Sequence, residues 1–464
     1  LGTTTNPRTV ALSERDFDGD GILNIFDGHQ NLAYSEITLS SGLDHTCAVL
    51  DDGSVSCWGA NGYGQLGDGT STNGRNTPTQ TSNLGTGRIA VAISSGDAHT
   101  CAILDDGSVS CWGWNYYGQL GDGIYTDRNT PAQTSSLGAN RTAVALSSGG
   151  DHTCAILDDG TVSCWGRNDF GQLGDGTNTN RGTPTQTSSL GTGRTAVAIS
   201  SGAAHTCAIL DNASVSCWGD NVGDGTYTNR GTPTQTSNLG TGRTAVAISS
   251  GFDHTCAILD DASISCWGDN YFGQLGDGTT TNRNTPTQTS SLGTGRTAVA
   301  ISAGYTNTCA LLDDGTVSCW GFNYYGQLGD GTTTDRNTPT QTSSLETNRG
   351  AVAISSGQSH TCAILDDASV NCWGDNYFGE LGDGTNNDRN TPAQTSSLGT
   401  GRTAAVSERD FDGDGDTDGD GTLDHFDDFP NNSIRSIACT SGQYGRYLCV
   451  DSPAGKYVPS SSAM

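Results

Sequence analysis

Lysine and methionine are almost missing from this chain of 464 residues. Lys456 is the only lysine, and the only methionine is Met464, so we expect a processed protein or a segment of a longer one. Lys and Arg together number 21 against 50 Asp and Glu, for a net charge of −29. A phosphate-binding surface needs clustered basic side chains, so this scarcity argues against nucleic acid as a partner.

Long apolar runs are also missing. No window approaches the roughly 18 apolar residues of a membrane-spanning helix, so no membrane span is predicted in this chain. Charged residues make up 15% of the chain, whereas glycine alone contributes 66 residues. This composition is poor in helix formers and rich in turn formers.

Seven repeats occupy the middle of the chain. Each carries a Cys-x9-Cys pair, and one unit spans residues 296–348. The unit contains four short alternating or β-branched segments, TAVAIS, TCALL, TVSCWG and a stretch near TPTQTS, separated by Gly, Asp and Asn. Four strands in about fifty residues is the size of a propeller blade, and a closed ring of blades removes most sheet edges. The sequence therefore predicts an all-β fold with a seven-bladed β-propeller.

The repeat also has a recognisable consensus, SSGxxHTCAILDDGSVSCWGxNxxGQLGDGT, over residues 37–402. It resembles the regulator of chromosome condensation repeat family. The resemblance implies a seven-bladed propeller and, as in most members, binding of another protein. Nuclear members are guanine nucleotide exchange factors for a small GTPase. That activity is not expected here, because those members work among reduced thiols and basic chromatin, whereas this chain is acidic and rich in cysteine.

The two cysteines of each repeat are predicted to face each other across a hairpin. In CAILDDGSVSC a turn at residues 105–107, with Gly107 at positive φ, places Cys101 opposite Cys111. Cross-strand distances suit a disulfide, and such bridges indicate an oxidising compartment. The predicted bridges are Cys47–Cys57, Cys101–Cys111, Cys154–Cys164, Cys207–Cys217, Cys256–Cys266, Cys309–Cys319, Cys362–Cys372 and, beyond the repeats, Cys439–Cys449.

A metal or redox site is the alternative reading of the same motif. A histidine precedes the first cysteine in six repeats, and Asn307 replaces it in the other. Asparagine keeps a hydrogen bond but is a poor zinc ligand, and the spacing matches neither a zinc site nor a Cys-x-x-Cys redox site. The histidines that we interpret as structural are His45, His99, His152, His205, His254 and His360.

Acidic segments flank the repeats, at residues 13–28 and 407–432. Their oxygen-bearing side chains fall at alternate positions of a calcium loop, with Gly21 and Gly421 at the bends. They resemble thrombospondin type 3 repeats, which implies calcium as a cofactor; a disordered acidic linker is the alternative. The predicted ligands are Asp16, Asp18, Asp20, Ile22 through its backbone carbonyl, Asn24, Asp27, Asp410, Asp412, Asp414, Asp416, Asp418, Asp420, Thr422, Asp424 and Asp427.

The two ends of the chain share one connector sequence. LGTTTNPRTVALSERDFDGDG opens the chain, and LGTGRTAAVSERDFDGDG starts at Leu398. One strand-like copy is expected to close the ring, and the other to pair with a neighbouring molecule or to belong to a tandem propeller. The C-terminal CTSGQYGRYLCVDSPAGKYV resembles Cys-rich modules of extracellular receptors. The predicted domains are a strand-like segment (1–12), a calcium connector (13–35), the propeller (36–402), a second calcium connector (403–432) and a Cys-rich module (433–464).

A binding surface is predicted after the Trp-Gly of each repeat. The second of two variable positions there is usually aromatic and is expected to pack inside the blade, whereas the first is expected to lie exposed. Repeat four lacks four residues of this loop, so the ring should have a notch there. The aspartate of each GDGT is interpreted as a turn residue, with a cation-binding rim as the alternative. The predicted protein or glycan contacts are Trp114, Tyr116, Tyr271, Tyr324 and Tyr377, and the predicted glycan acceptors are Asn140, Asn212 and Asn431.

No nucleophile elbow, phosphate loop or paired acid/base motif is present in the sequence, so we do not expect an enzyme. The sequence favours a secreted structural or adhesive protein of the cell surface that assembles head to tail. The alternative is a soluble secreted propeller that binds or inhibits a protein or glycan partner. Self-association of the purified protein separates the two.

Overall fold

The computed structural model describes residues 38–405, except 73, 348, 400 and 401. This part of the chain consists of strands, turns and irregular loops. It therefore contains no helix that is long and apolar enough to cross a membrane.

The described chain contains 28 strands, numbered β1 to β28 in order, four to each blade. The first strands are β1 Leu39–Ser41, β5 Ala90–Ser95, β9 Ala143–Ser148, β13 Ala196–Ser201, β17 Ala245–Ser250, β21 Ala298–Ala303 and β25 Ala351–Ser356. The second strands are β2 His45–Val49, β6 His99–Leu104, β10 His152–Leu157, β14 His205–Leu210, β18 His254–Leu259, β22 Asn307–Leu312 and β26 His360–Leu365. The third strands are β3 Val55–Gly59, β7 Val109–Gly113, β11 Val162–Gly166, β15 Val215–Gly219, β19 Ile264–Gly268, β23 Val317–Gly321 and β27 Val370–Gly374. The fourth strands are β4 Arg75–Gln80, β8 Arg128–Gln133, β12 Arg181–Gln186, β16 Arg230–Gln235, β20 Arg283–Gln288, β24 Arg336–Gln341 and β28 Arg389–Gln394.

Each blade is a four-stranded antiparallel sheet whose strands pair in the order of the chain. The first strands of neighbouring blades lie side by side around the central axis. The predicted seven-bladed all-β propeller is confirmed, and so is the division of each repeat into four strands.

The hydrophobic core lies between the blades. The tryptophan of every third strand is fully buried and packs against the cysteine-bearing face of the preceding blade. Between blades 2 and 3, for example, Trp165 packs with Cys101, Ile103 and Leu120. A blade alone would expose this face, so each blade depends on its neighbours. Truncating a buried tryptophan of this kind to alanine costs about 3–5 kcal/mol.

Seven disulfides join the second and third strands of the seven blades. Cys101 pairs directly with Cys111 in the strand register, and Gly107 has a φ of 74° in the turn, as predicted. The described residues include no free cysteine. Seven buried bridges indicate that the chain matures in an oxidising environment.

Serine hydroxyls link the innermost strands into a ring. The Oγ of Ser94 accepts a hydrogen bond from the backbone N–H of Ser148 in the next blade, at 2.8 Å. The same bond, at 2.8–2.9 Å, recurs at every blade junction. It includes the junction of blade 7 with blade 1, where Ser355 accepts from Ser41. Each blade is therefore held to the next by a hydrogen bond between the innermost strands as well as by apolar packing.

The end of the described chain completes blade 1. Ala404 bridges Leu50 and is 1% exposed, and Arg402 forms an ion pair with Asp52 at 2.8 Å. The N–H of Ala405 donates to the carbonyl of Val49 at 3.0 Å. Equivalent contacts form the start of the inner strand in blade 2. The C-terminal copy of the connector is therefore the one that closes the ring.

Candidate binding face

Two sets of loops meet on one side of the ring, which we term the loop face. The loops between first and second strands lie there, together with the loops between third and fourth strands. They share a side because the second strand starts where the third ends: His99 pairs with Gly113 in the register. The hairpin turns with the Asp-Asp pairs lie on the opposite side.

Aromatic side chains form a broken ring on the loop face, which we term the aromatic arc. Tyr116, Tyr271, Tyr324 and Tyr377 expose 66–73% of their surface, and Trp114 is partly buried beside them. Rings touch across blade junctions as well as within blades. The arc consists of Tyr271, Phe272, Phe322, Tyr324, Tyr325, Tyr377, Phe378, Tyr63, Trp114, Tyr116 and Tyr117.

The second aromatic position of these loops does not pack inside the blade, and that expectation is wrong. Tyr63 and Phe378 are 47% and 41% exposed, and the other members are partly exposed. The interior is already filled by the leucine of each GQL; Leu120 is fully buried, and its N–H donates to Asn115 Oδ1 at 3.0 Å. The second aromatic is therefore left to support the exposed tyrosine from below.

Blade 4 interrupts the arc. Its shortened loop lacks both aromatic positions of the arc, and Val222 occupies the buried leucine position. Tyr227, further along this loop, is exposed but contacts no aromatic ring among the described residues. In four blades the glutamine carbonyl of this loop accepts the indole N–H of the next blade, as Gln65 does from Trp112 at 2.9 Å. The indole N–H of Trp218 lacks such a partner although blade 3 carries Gln172. Blade 4 lacks that glutamine, and the indole N–H of Trp267 in blade 5 has no partner among the described residues. The arc thus has two ends, which makes the loop face directional.

The mouth of the central channel opens at the middle of the loop face. Phe252 and Tyr305 stack there, with ring centroids 3.6 Å apart. Asp97 lies in the same rim, and among the described residues its carboxylate has neither a hydrogen bond nor an ion pair. Burial, with Asp151 and Asp44 nearby, raises the pKa of Asp97 to about 7. One residue of each blade reaches the rim: Leu43, Asp97, Gly150, Ala203, Phe252, Tyr305 and Gln358.

A row of carboxylates runs from this mouth towards blade 7; we term it the acidic track, consisting of Asp97, Asp44, Asp375 and Glu380. Burial and then the charge of Asp375 raise the pKa of Asp44 to about 6. The pKa of Asp375 itself is raised, first by burial. On the other side of the mouth, Arg167 is shared by two acids, Asp151 and Asp169. None of the four carboxyl groups of the acidic track forms an ion pair with a basic side chain among the described residues.

Glu380 stands where five other blades carry glutamine. It is 1% exposed; its Oε2 accepts the N–H of Phe378 at 2.9 Å, and its Oε1 has no partner among the described residues. Burial, followed by the charges of Asp375 and Asp44, raises its pKa to about 8. In blade 5 the equivalent Gln274 Nε2 donates to Asp269 at 2.9 Å. Blade 7 thus places an acid beside an acid where blade 5 has an amide.

The histidines of the repeats are structural. Each is buried, and its Nε2 lies 2.8–2.9 Å from the threonine Oγ1 of the next blade. Burial lowers the pKa of His99 to about 3, so the ring is neutral and unavailable for proton transfer. A Cβ at Gly96 would overlap with the Cε1 of His99, which explains the glycine of SSG. Asn307 makes no such cross-blade bond.

The GDGT aspartates are turn residues. The Oδ1 of Asp277 accepts from the N–H and the hydroxyl of Thr279, at 2.9 and 2.6 Å, and its Oδ2 pairs with Arg283. All seven are ion-paired with the arginine that opens the fourth strand. Their charge is therefore compensated, which argues against a cation-binding rim.

Several predicted sites lie outside the described residues: both calcium segments, Cys439–Cys449 and Asn431. Within the described part, no group of three or more His, Cys, Asp or Glu is arranged to hold a metal ion. Asn140 and Asn212 are exposed, and Asn212 lies on the tip of the blade 4 hairpin, where it caps Ser214.

The channel mouth was missed by the sequence reasoning. Asp97, Phe252 and Tyr305 occupy the first of the two variable positions that precede the second strand. Variation at two positions inside an otherwise constant motif was the available signal. Side chains at these two positions are not constrained by core packing, whereas the constant residues on either side are.

Comparison with known proteins places this architecture in a family. The family model of the RCC1-like domain matches residues 90–408, and that of the regulator of chromosome condensation (RCC1) repeat matches residues 52–103. The ultraviolet-B receptor UVR8 of Arabidopsis thaliana is 32% identical over 82% of this chain and 78% of its own length. The human E3 ubiquitin-protein ligase HERC2 is 30% identical over 78% of this chain, which is 6% of the ligase.

Solved structures agree with this fold. Yeast RCC1 (Prp20), solved bound to Kap60, superposes with a TM-score of 0.67 at 18% identity, over 84% of this chain and 94% of that one. Human WBSCR16 gives a TM-score of 0.65 at 21% identity, over 73% and 93%. At such identities the likeness concerns the fold alone. The chain belongs to the family of RCC1-like repeat propellers, and it carries a disulfide in each of its seven blades.

Proposed function

We propose that this protein is a non-enzymatic structural or adhesive subunit of the extracellular space that joins copies of itself head to tail. The observation that carries the proposal is the closure of the ring. Residues 402–405 fill the inner edge of blade 1, so the second copy of the same strand sequence, residues 8–13, has no equivalent place left in its own ring. A spare strand of this kind can add to a sheet of another molecule.

The disulfides of the blades support a structural role. Each blade has its own disulfide. In blade 2 the fully buried pair Cys101–Cys111 lies at the interface with the next blade. A disulfide that closes a short loop contributes roughly 2–3 kcal/mol. Blades that each contain a buried disulfide suit a protein of the oxidising extracellular space. Calcium bound by residues 13–28 and 407–430 would stiffen the connectors between successive rings.

Deleting residues 1–12 tests the proposal. The full chain with calcium is expected to form head-to-tail filaments, because a heterologous contact that does not close keeps growing. The truncated chain is expected to stay monomeric by sedimentation velocity and electron microscopy. A matched control replaces residues 1–12 with a Gly/Ser segment of equal length. If the truncated and full chains sediment alike, the strand-addition proposal fails.

A soluble secreted binding or inhibitory propeller is the second candidate function. The aromatic arc favours it, since exposed tyrosines on one face are typical of recognition surfaces. The same sedimentation experiment separates the two candidates: a full chain that remains monomeric at high concentration with calcium supports the binding module.

A further inference from the structure

We propose that the loop face binds a lysine- or arginine-containing polypeptide, with one basic side chain entering the channel mouth between Asp97 and the Phe252–Tyr305 pair. A second basic side chain would lie over Asp44 and Asp375, beside Tyr377. This site goes beyond the proposed self-assembly and does not depend on it.

The channel mouth has the chemistry of a cation site. Asp97 offers a carboxylate without a partner, and Phe252 and Tyr305 present a stacked aromatic pair on the same rim. A cation held between a carboxylate and an aromatic face gains from both, most when it is shielded from water. Asp253, next to Phe252, adds a further acid whose pKa is raised to about 6 by burial and by Asp220 and Asp269.

The acidic track extends this site outward. The Oε1 of Glu380 is buried and has no partner among the described residues. After burial, the charge of Asp375 raises the pKa of Asp44, and the charges of Asp375 and Asp44 raise the pKa of Glu380. Their mutual repulsion is relieved by a cationic ligand and not by a neutral one. The charge complementarity therefore favours a basic polypeptide over a glycan.

The length of the aromatic arc indicates the size of the partner. The rings of the arc lie on blades 5, 6, 7, 1 and 2, and blades 3 and 4 contribute none. A surface of five blades suits an extended chain rather than a single small cation. The partner must come from another kind of molecule, because this chain has one lysine and twenty arginines, against a net charge of −29. The seven arginines that open the fourth strands are already paired with the GDGT aspartates, and Arg167 on the loop face is paired with Asp151 and Asp169.

Binding of fluorescein-labelled decalysine to the full chain, in calcium-containing buffer, tests the inference by fluorescence anisotropy. The double variant Asp97→Asn/Asp44→Asn is expected to bind about tenfold more weakly, which corresponds to a loss of about 1.4 kcal/mol of binding free energy. Tyr377→Ser is expected to bind several-fold more weakly. Removing a buried, partnerless negative charge does not threaten folding, so lost binding reports on the site.

Matched controls use the opposite face and the gap in the arc. Asp105→Asn removes one charge on the hairpin face, and Tyr227→Ser removes an exposed tyrosine of blade 4; both are expected to change affinity by less than about twofold. Equal affinity of the double variant and the wild type would overturn the inference. So would binding of cellohexaose, but not of decalysine, that depends on Tyr377. Sedimentation of the same variants reports separately on self-assembly.

Discussion

Replacing Glu380 by glutamine is expected to stabilise the propeller, by an amount that grows with pH. The pKa of Glu380 is raised from 4.5 to about 8, mainly by burial and then by Asp375 and Asp44. At pH values between 4.5 and about 8, Glu380 is protonated in the folded protein and ionised in the unfolded chain. Stability is therefore lost as pH rises through this window, and the loss is complete above pH 8.

The magnitude follows from the width of the window. At pH 7, about 2.5 pH units above the unfolded pKa of 4.5, the difference costs about 1.4 kcal/mol of stability per pH unit, or about 3.5 kcal/mol in all. Above pH 8 the cost approaches about 5 kcal/mol. A glutamine at position 380 removes this cost and, by analogy with Gln274 and Asp269, can donate its Nε2–H to Asp375.

Thermal unfolding of wild type and Glu380→Gln, measured by calorimetry from below pH 4.5 to above pH 8, checks this. The two proteins should unfold alike at the acid end and diverge steadily towards the alkaline end. The reverse substitution Gln274→Glu places an acid beside Asp269 and should destabilise blade 5 with the same pH profile. A difference that is constant with pH, or a less stable variant at pH 8, would refute the reasoning.

Three further outcomes are expected. Asn307→His should restore the missing cross-blade bond to the threonine of blade 7 and raise the free energy of unfolding by about 1 kcal/mol in denaturant titration; an unchanged midpoint contradicts it. Mass spectrometry without reduction should find the seven blade disulfides and Cys439–Cys449, and bridges between blades would exclude the hairpin pairing. Chelation of calcium should increase protease cleavage within residues 13–28 and 407–430 while the propeller stays folded; unchanged cleavage and calcium content would argue against calcium loops there.

The disulfide pairing, the blade count and the exposed tyrosines could be predicted because they depend on residues close together in the sequence. A period of two and a three-residue turn ending in Gly107 place Cys101 opposite Cys111 whatever surrounds the hairpin. Because the motif occurs seven times, the same cysteine pairing is predicted for all seven blades. The exposure of Tyr324 and Tyr377 followed from their variability in an otherwise constant loop.

Tertiary structure alone decided the features that depend on residues far apart in the chain. Glu380 and Asp44 are separated by more than three hundred positions, and only the closed ring brings their charges together. The choice between two similar closing strands was also open in the sequence, because RTVALS and RTAAVS have the same strand pattern; contacts with Leu50 and Asp52 select the C-terminal copy. Tyr63 and Phe378 lie partly exposed because tryptophan and leucine from two neighbouring blades had already filled the space, and packing volume is a property of the assembled ring.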